Sequence, residues 1–254
     1  MPNKQGHETS SVFVALVGRP NVGKSSLTNQ LVGEKVAIVT NKPQTTRSRI
    51  TGVITKGPVQ YVLMDTPGIH LPRNKLDARM TQTAAASVKD VDVTVMLFEP
   101  AGTFTESEQT MMDALRKSGP ALAVINKVDT LRGFEELEAR RQEIARLGIF
   151  EEVLTVSAKD GTGCDALLEK LKTYATPGPH YFDDDAFTDM PEKELVAELI
   201  REKLLLFMRE EIPHGVAVTV QSFKERPDRD LVDISVEICC ERKNHKGMII
   251  GKNG

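Results

Sequence analysis

Eight residues near the start of the chain leave few folds open. Gly18-Arg19-Pro20-Asn21-Val22-Gly23-Lys24-Ser25 fits the pattern G-x-x-x-x-G-K-[ST]. The apolar run at 11–17 precedes it, and a helix-like stretch at 24–32 follows, which is the strand–loop–helix setting such a loop requires. Its glycines let the backbone wrap a phosphate group, so that several amides and the helix N-terminus face the anion. Lys24 is expected to reach the β- and γ-phosphates, and Ser25 to offer its hydroxyl to magnesium. By itself the loop is compatible with ATP or GTP.

The rest of the first half repeats the same alternation. Apolar runs at 59–64, 91–98, 121–125 and 153–156 read as buried parallel strands. Helix-like stretches at 75–89, 106–118, 134–147 and 164–173 fall between or after them. Strand alternating with helix predicts a doubly wound α/β sheet. Residues 49–55, followed by the turn signal Lys56-Gly57-Pro58, predict a hairpin that adds one antiparallel edge strand, as in Ras-like domains.

Three further motifs stand at strand ends, where open sheets bind ligands. Asp65-Thr66-Pro67-Gly68 ends the second apolar run; its carboxylate can hold magnesium and the Gly68 amide can meet the γ-phosphate. Asn126-Lys127-Val128-Asp129 ends the fourth, and Asp129 can accept from guanine N1–H and the exocyclic amine. Adenine offers no such pair of donors, so the carboxylate would go unpaired against ATP. Ser157-Ala158-Lys159 follows the fifth, with the Ala158 amide placed for guanine O6. The four motifs together predict a guanine nucleotide site in a Ras-like P-loop domain. The expected GTP-binding residues are Gly18 through Ser26, Asp65, Thr66, Pro67, Gly68, Ile69, Asn126, Lys127, Asp129, Ser157, Ala158 and Lys159, with Ser26 directly following the loop.

Lys24, Thr46 and Gly68 are the candidate catalytic residues, and Ser25, Thr46 and Asp65 the candidate magnesium ligands. The polar segment 41–47 lies where a first switch belongs, and Thr45 is the alternative to Thr46 there. His70 and residues 71–74 would belong to a second switch. Ile69 occupies the position where many Ras-like switches carry a water-orienting glutamine. An aliphatic side chain cannot orient water, so slow intrinsic GTP hydrolysis is expected.

Residues 1–10 are a polar tail, and 11–175 the GTPase domain. Thr176-Pro177-Gly178-Pro179 and the run Asp183–Asp185 suggest a poorly folding linker over 176–188. Within 189–254, a helical pattern at 192–210 is followed by two alternating strands, 216–223 and 231–239. The net charge of −3 gives no global attraction to nucleic acid, so such a partner must use a local patch. One exists: Arg242, Lys243, Lys246 and Lys252 crowd the final stretch, around Gly-Lys-Asn-Gly at 251–254. A G-x-x-G loop after a helix suits the close approach of an RNA backbone, with Lys246, Gly251, Lys252, Asn253 and Gly254 as the RNA-binding candidates. The three cysteines read as buried hydrophobes in a reducing cytosol, and the absence of a long apolar run or signal core points to a cytoplasmic protein.

The strings GRPNVGKSSL, KPQTTR, DTPGIH, NKVD and VSAKDGTG together resemble the Era family of bacterial GTPases. The resemblance covers nearly all of 11–254. It implies a second domain of the KH type (type II, α+β), here expected to lack its C-terminal part. It implies GTP/GDP and magnesium as cofactors, and a potassium ion held through Asn21. The partners it implies are the 3′ region of 16S ribosomal RNA and the small ribosomal subunit, whose assembly the protein would assist, with peripheral association at the inner membrane; a monomer is assumed. The rival expectation is a nucleotide-dependent switch whose second domain docks a protein and binds no RNA.

Overall fold

The computed structural model describes residues 9–40, 50–66, 91–131, 133–208 and 216–251. The chain divides into two units, Met1–Ala37 with Thr46–Asp189, and Ile38–Thr45 with Met190–Gly254.

In the first unit the order is β1 (Ser10–Val17), α1 (Lys24–Val32), β2 (Ile50–Lys56), β3 (Val59–Asp65), β4 (Val93–Phe98), α2 (Glu106–Leu115), β5 (Ala121–Ile125), α3 (Phe134–Ala145), β6 (Val153–Thr155), α4 (Cys164–Lys172) and β7 (Thr176–Pro177). The main sheet runs β2-β3-β1-β4-β5-β6, parallel throughout except for the edge strand β2, which pairs antiparallel with β3. Every residue of β3, β4 and β5 is buried, as expected of strands covered on both faces. Alternation sorts their side chains between two cores. Val93, Val95 and Leu97 of β4 join Leu27 and Leu31 of α1 and Leu167, Leu168 and Leu171 of α4. Met96 and Phe98 of the same strand join Met111, Met112 and Leu115 of α2 and Ile144 of α3. Helix α2 begins at a full capping box: Thr105 Oγ1 accepts from the Glu108 amide while the Glu108 carboxylate accepts from the Thr105 amide. The expected helix at 75–89 lies outside the described residues.

The expected linker at 176–188 is instead a bonded strap on the first unit. β7 pairs antiparallel with the start of β1. Gln60, fully buried on β3, accepts from the Tyr181 and Phe182 amides at 2.8 and 3.0 Å and donates to the Phe182 carbonyl at 3.0 Å. The Thr188 hydroxyl donates to the Thr51 carbonyl, the Phe187 carbonyl accepts from the Val53 amide, and Tyr181 packs edge-on against Phe13. The acidic run does not unfold the segment, because its backbone groups find partners on the sheet edge. The first unit therefore extends to Asp189 rather than 175.

The second unit contains α5 (Glu192–Phe207), β8 (Val216–Glu225), β9 (Val232–Cys240) and α6 (Lys243–Ile250), with β8 and β9 antiparallel and a bulge between Val220 and Ser222. Helix α5 ends at Phe207, short of the expected 210, because Met208 is extended. Residues 38–40, expected in the first domain, fall in this unit, where the Val39 amide donates to the buried carboxylate of Glu202 at 3.0 Å.

Only one cysteine follows the expectation of burial. Cys164 is buried, and burial, with Asp165 and Asp160 nearby, pushes its thiol up to about 11. Cys239 is exposed and Cys240 half-buried, because β9 presents them at the edge of a two-stranded sheet. Among the described residues, no helix is long and apolar enough to cross a membrane.

Candidate nucleotide site

The loop between β1 and α1 closes around Lys24. Its ammonium is buried and donates to the Gly18 and Arg19 carbonyls, both at 3.1 Å. Burial lowers its pKa to about 8, opposed by the nearby Asp65 carboxylate. Gly23 takes φ of 102°, and a Cβ there would lie 2.2 Å from the Asn126 Nδ2, so any other residue would be strained and would displace the Asn126 carboxamide. Asn21 at the tip is left-handed (φ 62°), a conformation asparagine tolerates better than most residues.

Asp65 sits fully buried at the end of β3. Its Oδ2 accepts from the Ser25 hydroxyl at 2.5 Å, while Oδ1 is buried with no hydrogen-bond partner among the described residues. Burial drives its carboxyl up to about 6, against the lowering effects of Lys24 and the Ser25 hydroxyl. A buried carboxylate oxygen left without a partner, beside a serine hydroxyl, fits the oxygen-rich donor set of a magnesium ion. The Thr66 side chain plays a structural part: its hydroxyl donates to the Leu16 carbonyl at 2.7 Å and ties the end of β3 to β1.

The other end of the site is built on Asn126, whose carboxamide joins two loops. Its Nδ2 donates to the Val22 carbonyl at 2.9 Å and its Oδ1 accepts from the Ala158 amide at 3.0 Å. The Ala158 amide, expected on guanine O6, is thus engaged with Asn126, because the asparagine reaches across from the end of β5. Asp129 Oδ1 accepts from the Ser157 hydroxyl at 3.0 Å, and Lys159 approaches Oδ2 at 3.8 Å. The Lys127 ammonium donates to the Asn21 carbonyl at 2.6 Å and to Glu99 Oε1 at 2.7 Å.

The structure gathers Gly18 through Ser26, Asp65 and Thr66 at one end of the site, and Asn126, Lys127, Asp129, Ser157, Ala158 and Lys159 at the other, which Lys127 and Asn126 bond to the glycine-rich loop. Thr45, Thr46, Pro67, Gly68, Ile69 and His70 lie outside the described residues, as do Lys252, Asn253 and Gly254. Lys246 is exposed on α6, and Gly251 closes that helix with φ of 81°. One participant escaped the sequence reading. Glu99 belongs to no motif, although a lone carboxylate following a buried strand was a usable signal.

A doubly wound sheet with a G-x-x-x-x-G-K-S loop at one strand end and N-K-x-D at another defines a Ras-like P-loop GTPase. The family model described as 50S ribosome-binding GTPase matches residues 13–127. The GTPase Era of Clostridioides difficile (strain 630) is 46% identical over 245 residues, 96% of this chain and 82% of that protein. Two solved structures match over both units, each 32% identical. Era in complex with MgGDPNP and nucleotides 1506–1542 of 16S ribosomal RNA has a TM-score of 0.89, covering 96% of this chain and 83% of that one. A variant of Aquifex aeolicus Era bound to GDP.AlF4- has a TM-score of 0.90, covering 97% and 84%. The chain belongs to the Era family of GTPases.

Proposed function

We propose that this GTPase couples its nucleotide state to binding the 3′ region of 16S ribosomal RNA, and so acts in assembly of the small ribosomal subunit. The observation that carries the reading is the extent of the likeness to the RNA-bound Era structure. It covers 96% of this chain and so runs through the second unit, where α6 ends at Gly251 beside an exposed lysine.

At the nucleotide site, Lys24 and the amides of Gly18–Ser25 hold the phosphates, while Asp129 reads the guanine edge. Ser25 and Asp65 are the described residues that would hold magnesium, with Thr46 as the third candidate. When bound there, magnesium would supply neutralisation of the phosphate charge. Asn21 is the candidate through which potassium would act. In the second unit, Lys246 and the G-x-x-G segment beginning at Gly251 would contact the RNA backbone. Cytoplasmic location, a peripheral place at the inner membrane and a monomeric state belong to the same reading.

The test is binding of the whole chain to RNA from the 3′ end of 16S ribosomal RNA at several salt concentrations, with a non-hydrolysable GTP analogue and then with GDP. Tighter, salt-dependent binding in the GTP-like state is expected, and Lys246→Gln should reduce the salt slope by about one. No RNA affinity in either state, with salt-insensitive capture of a protein partner, would favour the rival docking module.

A further inference from the structure

Two cations of the nucleotide site share one carboxylate. Glu99 is the first residue after β4, placed at the strand's C-terminal end between the phosphate loop and the base-reading segment. One of its oxygens, Oε2, accepts from the Arg19 guanidinium, and the other, Oε1, from the Lys127 ammonium at 2.7 Å. Lys127 then donates onward to the carbonyl of Asn21 at the left-handed tip of the loop. Burial pushes the Glu99 carboxyl upward, but the hydrogen bond and charge of Lys127, joined by those of Arg19, outweigh this and hold it below the usual range. The carboxylate is therefore ionised at neutral pH, and both contacts are charge-assisted.

These ion pairs are partly exposed, with side-chain exposures of 25–36%, so they add little to global stability. Their effect is local. Arg19 sits in the loop that holds the phosphates, and Lys127 in the segment that reads the base. Without a shared anion, two like charges would face each other across the site: Lys127 would keep its bond to the Asn21 carbonyl, and the Arg19 guanidinium would lose its anionic partner. The segments would then lose a common anchor before the nucleotide arrives, and ordering them would count against affinity.

We propose that Glu99 is a positioning residue that clamps the phosphate loop to the base-reading segment through Arg19 and Lys127, and so sets how long guanine nucleotide stays bound. The assignment rests on the reading of this site as a guanine-nucleotide site. The clamp lies outside the candidate magnesium-binding and catalytic groups, so its removal acts on residence time rather than on the chemical step.

The experiment follows release of a fluorescent GDP from the full chain, alongside the KM and kcat for GTP and the melting temperature. Glu99→Gln keeps the size and removes the charge. GDP release should accelerate about tenfold, within the range for directly contacting groups, with KM rising similarly and kcat within about twofold of wild type. Glu99→Asp, one methylene shorter, should fall between the two, and it carries the test if the glutamine variant fails to fold. Release within about twofold of wild type in a folded variant, or a loss confined to kcat, overturns the proposal alone. Absence of guanine nucleotide binding in the wild-type chain overturns the site reading and the proposal with it.

Discussion

The two units bury their strands differently. In the first, β3, β4 and β5 are buried end to end, and helices on both faces complete two separate cores. In the second, β9 leaves Val232, Ile234 and Ile238 between 36% and 42% exposed, and β8 alternates between more and less exposed residues over 216–222. The first unit thus gains cohesion from a closed apolar interior, which lets it hold charged groups such as Lys24 and Asp65 away from water. The second presents a two-stranded ribbon and a basic helix to its surroundings, a surface suited to contact rather than to buried chemistry.

The comparison breaks most readily at Asp129, the carboxylate proposed to read the base. Asp129→Asn should reduce GTP affinity by about 10⁴-fold, since a site built to accept from two donors would then oppose one of them with an amide. A loss of only a few-fold in a binding titration would show that the first unit does not read guanine through this residue.

Core truncations sharpen the contrast between the interiors. Leu63→Ala, at a fully buried position on β3, should destabilise the first unit by about 2–5 kcal/mol. Ile238→Ala should cost less than about 1 kcal/mol, because its side chain already keeps much of its contact with water. Denaturant unfolding of both variants decides the matter, and equal costs would erase the distinction between the two interiors.

A smaller effect is expected at the strap. Gln60→Ala removes three hydrogen bonds to residues 181 and 182. It should lower stability by about 1–3 kcal/mol and open 178–188 to limited proteolysis. An unchanged cleavage pattern would return this segment to the status of a linker.

Much of the first unit was legible because its signals are local. The run at 91–98 predicts a buried strand from eight consecutive residues, and Asn126-Lys127-Val128-Asp129 carries its meaning in four. The strap was not legible for the opposite reason. Proline, glycine and three aspartates describe the segment's own preferences, while its order comes from Gln60, more than a hundred residues earlier. Glu99 was missed because its role exists only once three strand ends are brought together. The bond from the Ala158 amide to Asn126 was not legible either, because a motif names groups without stating which are bonded to one another.

The pairing of β1 with β7 bears on how the chain is made. Ser10 and Ser11 find partners in Pro177 and Thr176, and Thr9 exchanges hydrogen bonds with Gly178. A ribosome delivers these partners in the wrong order, the first strand early and its edge companion some 165 residues later. During synthesis the leading strand can join β3 and β4, but its outer end stays open until the strap has cleared the exit tunnel. The nucleotide unit thus carries its own closing stitch, sewn only as the second unit begins to emerge.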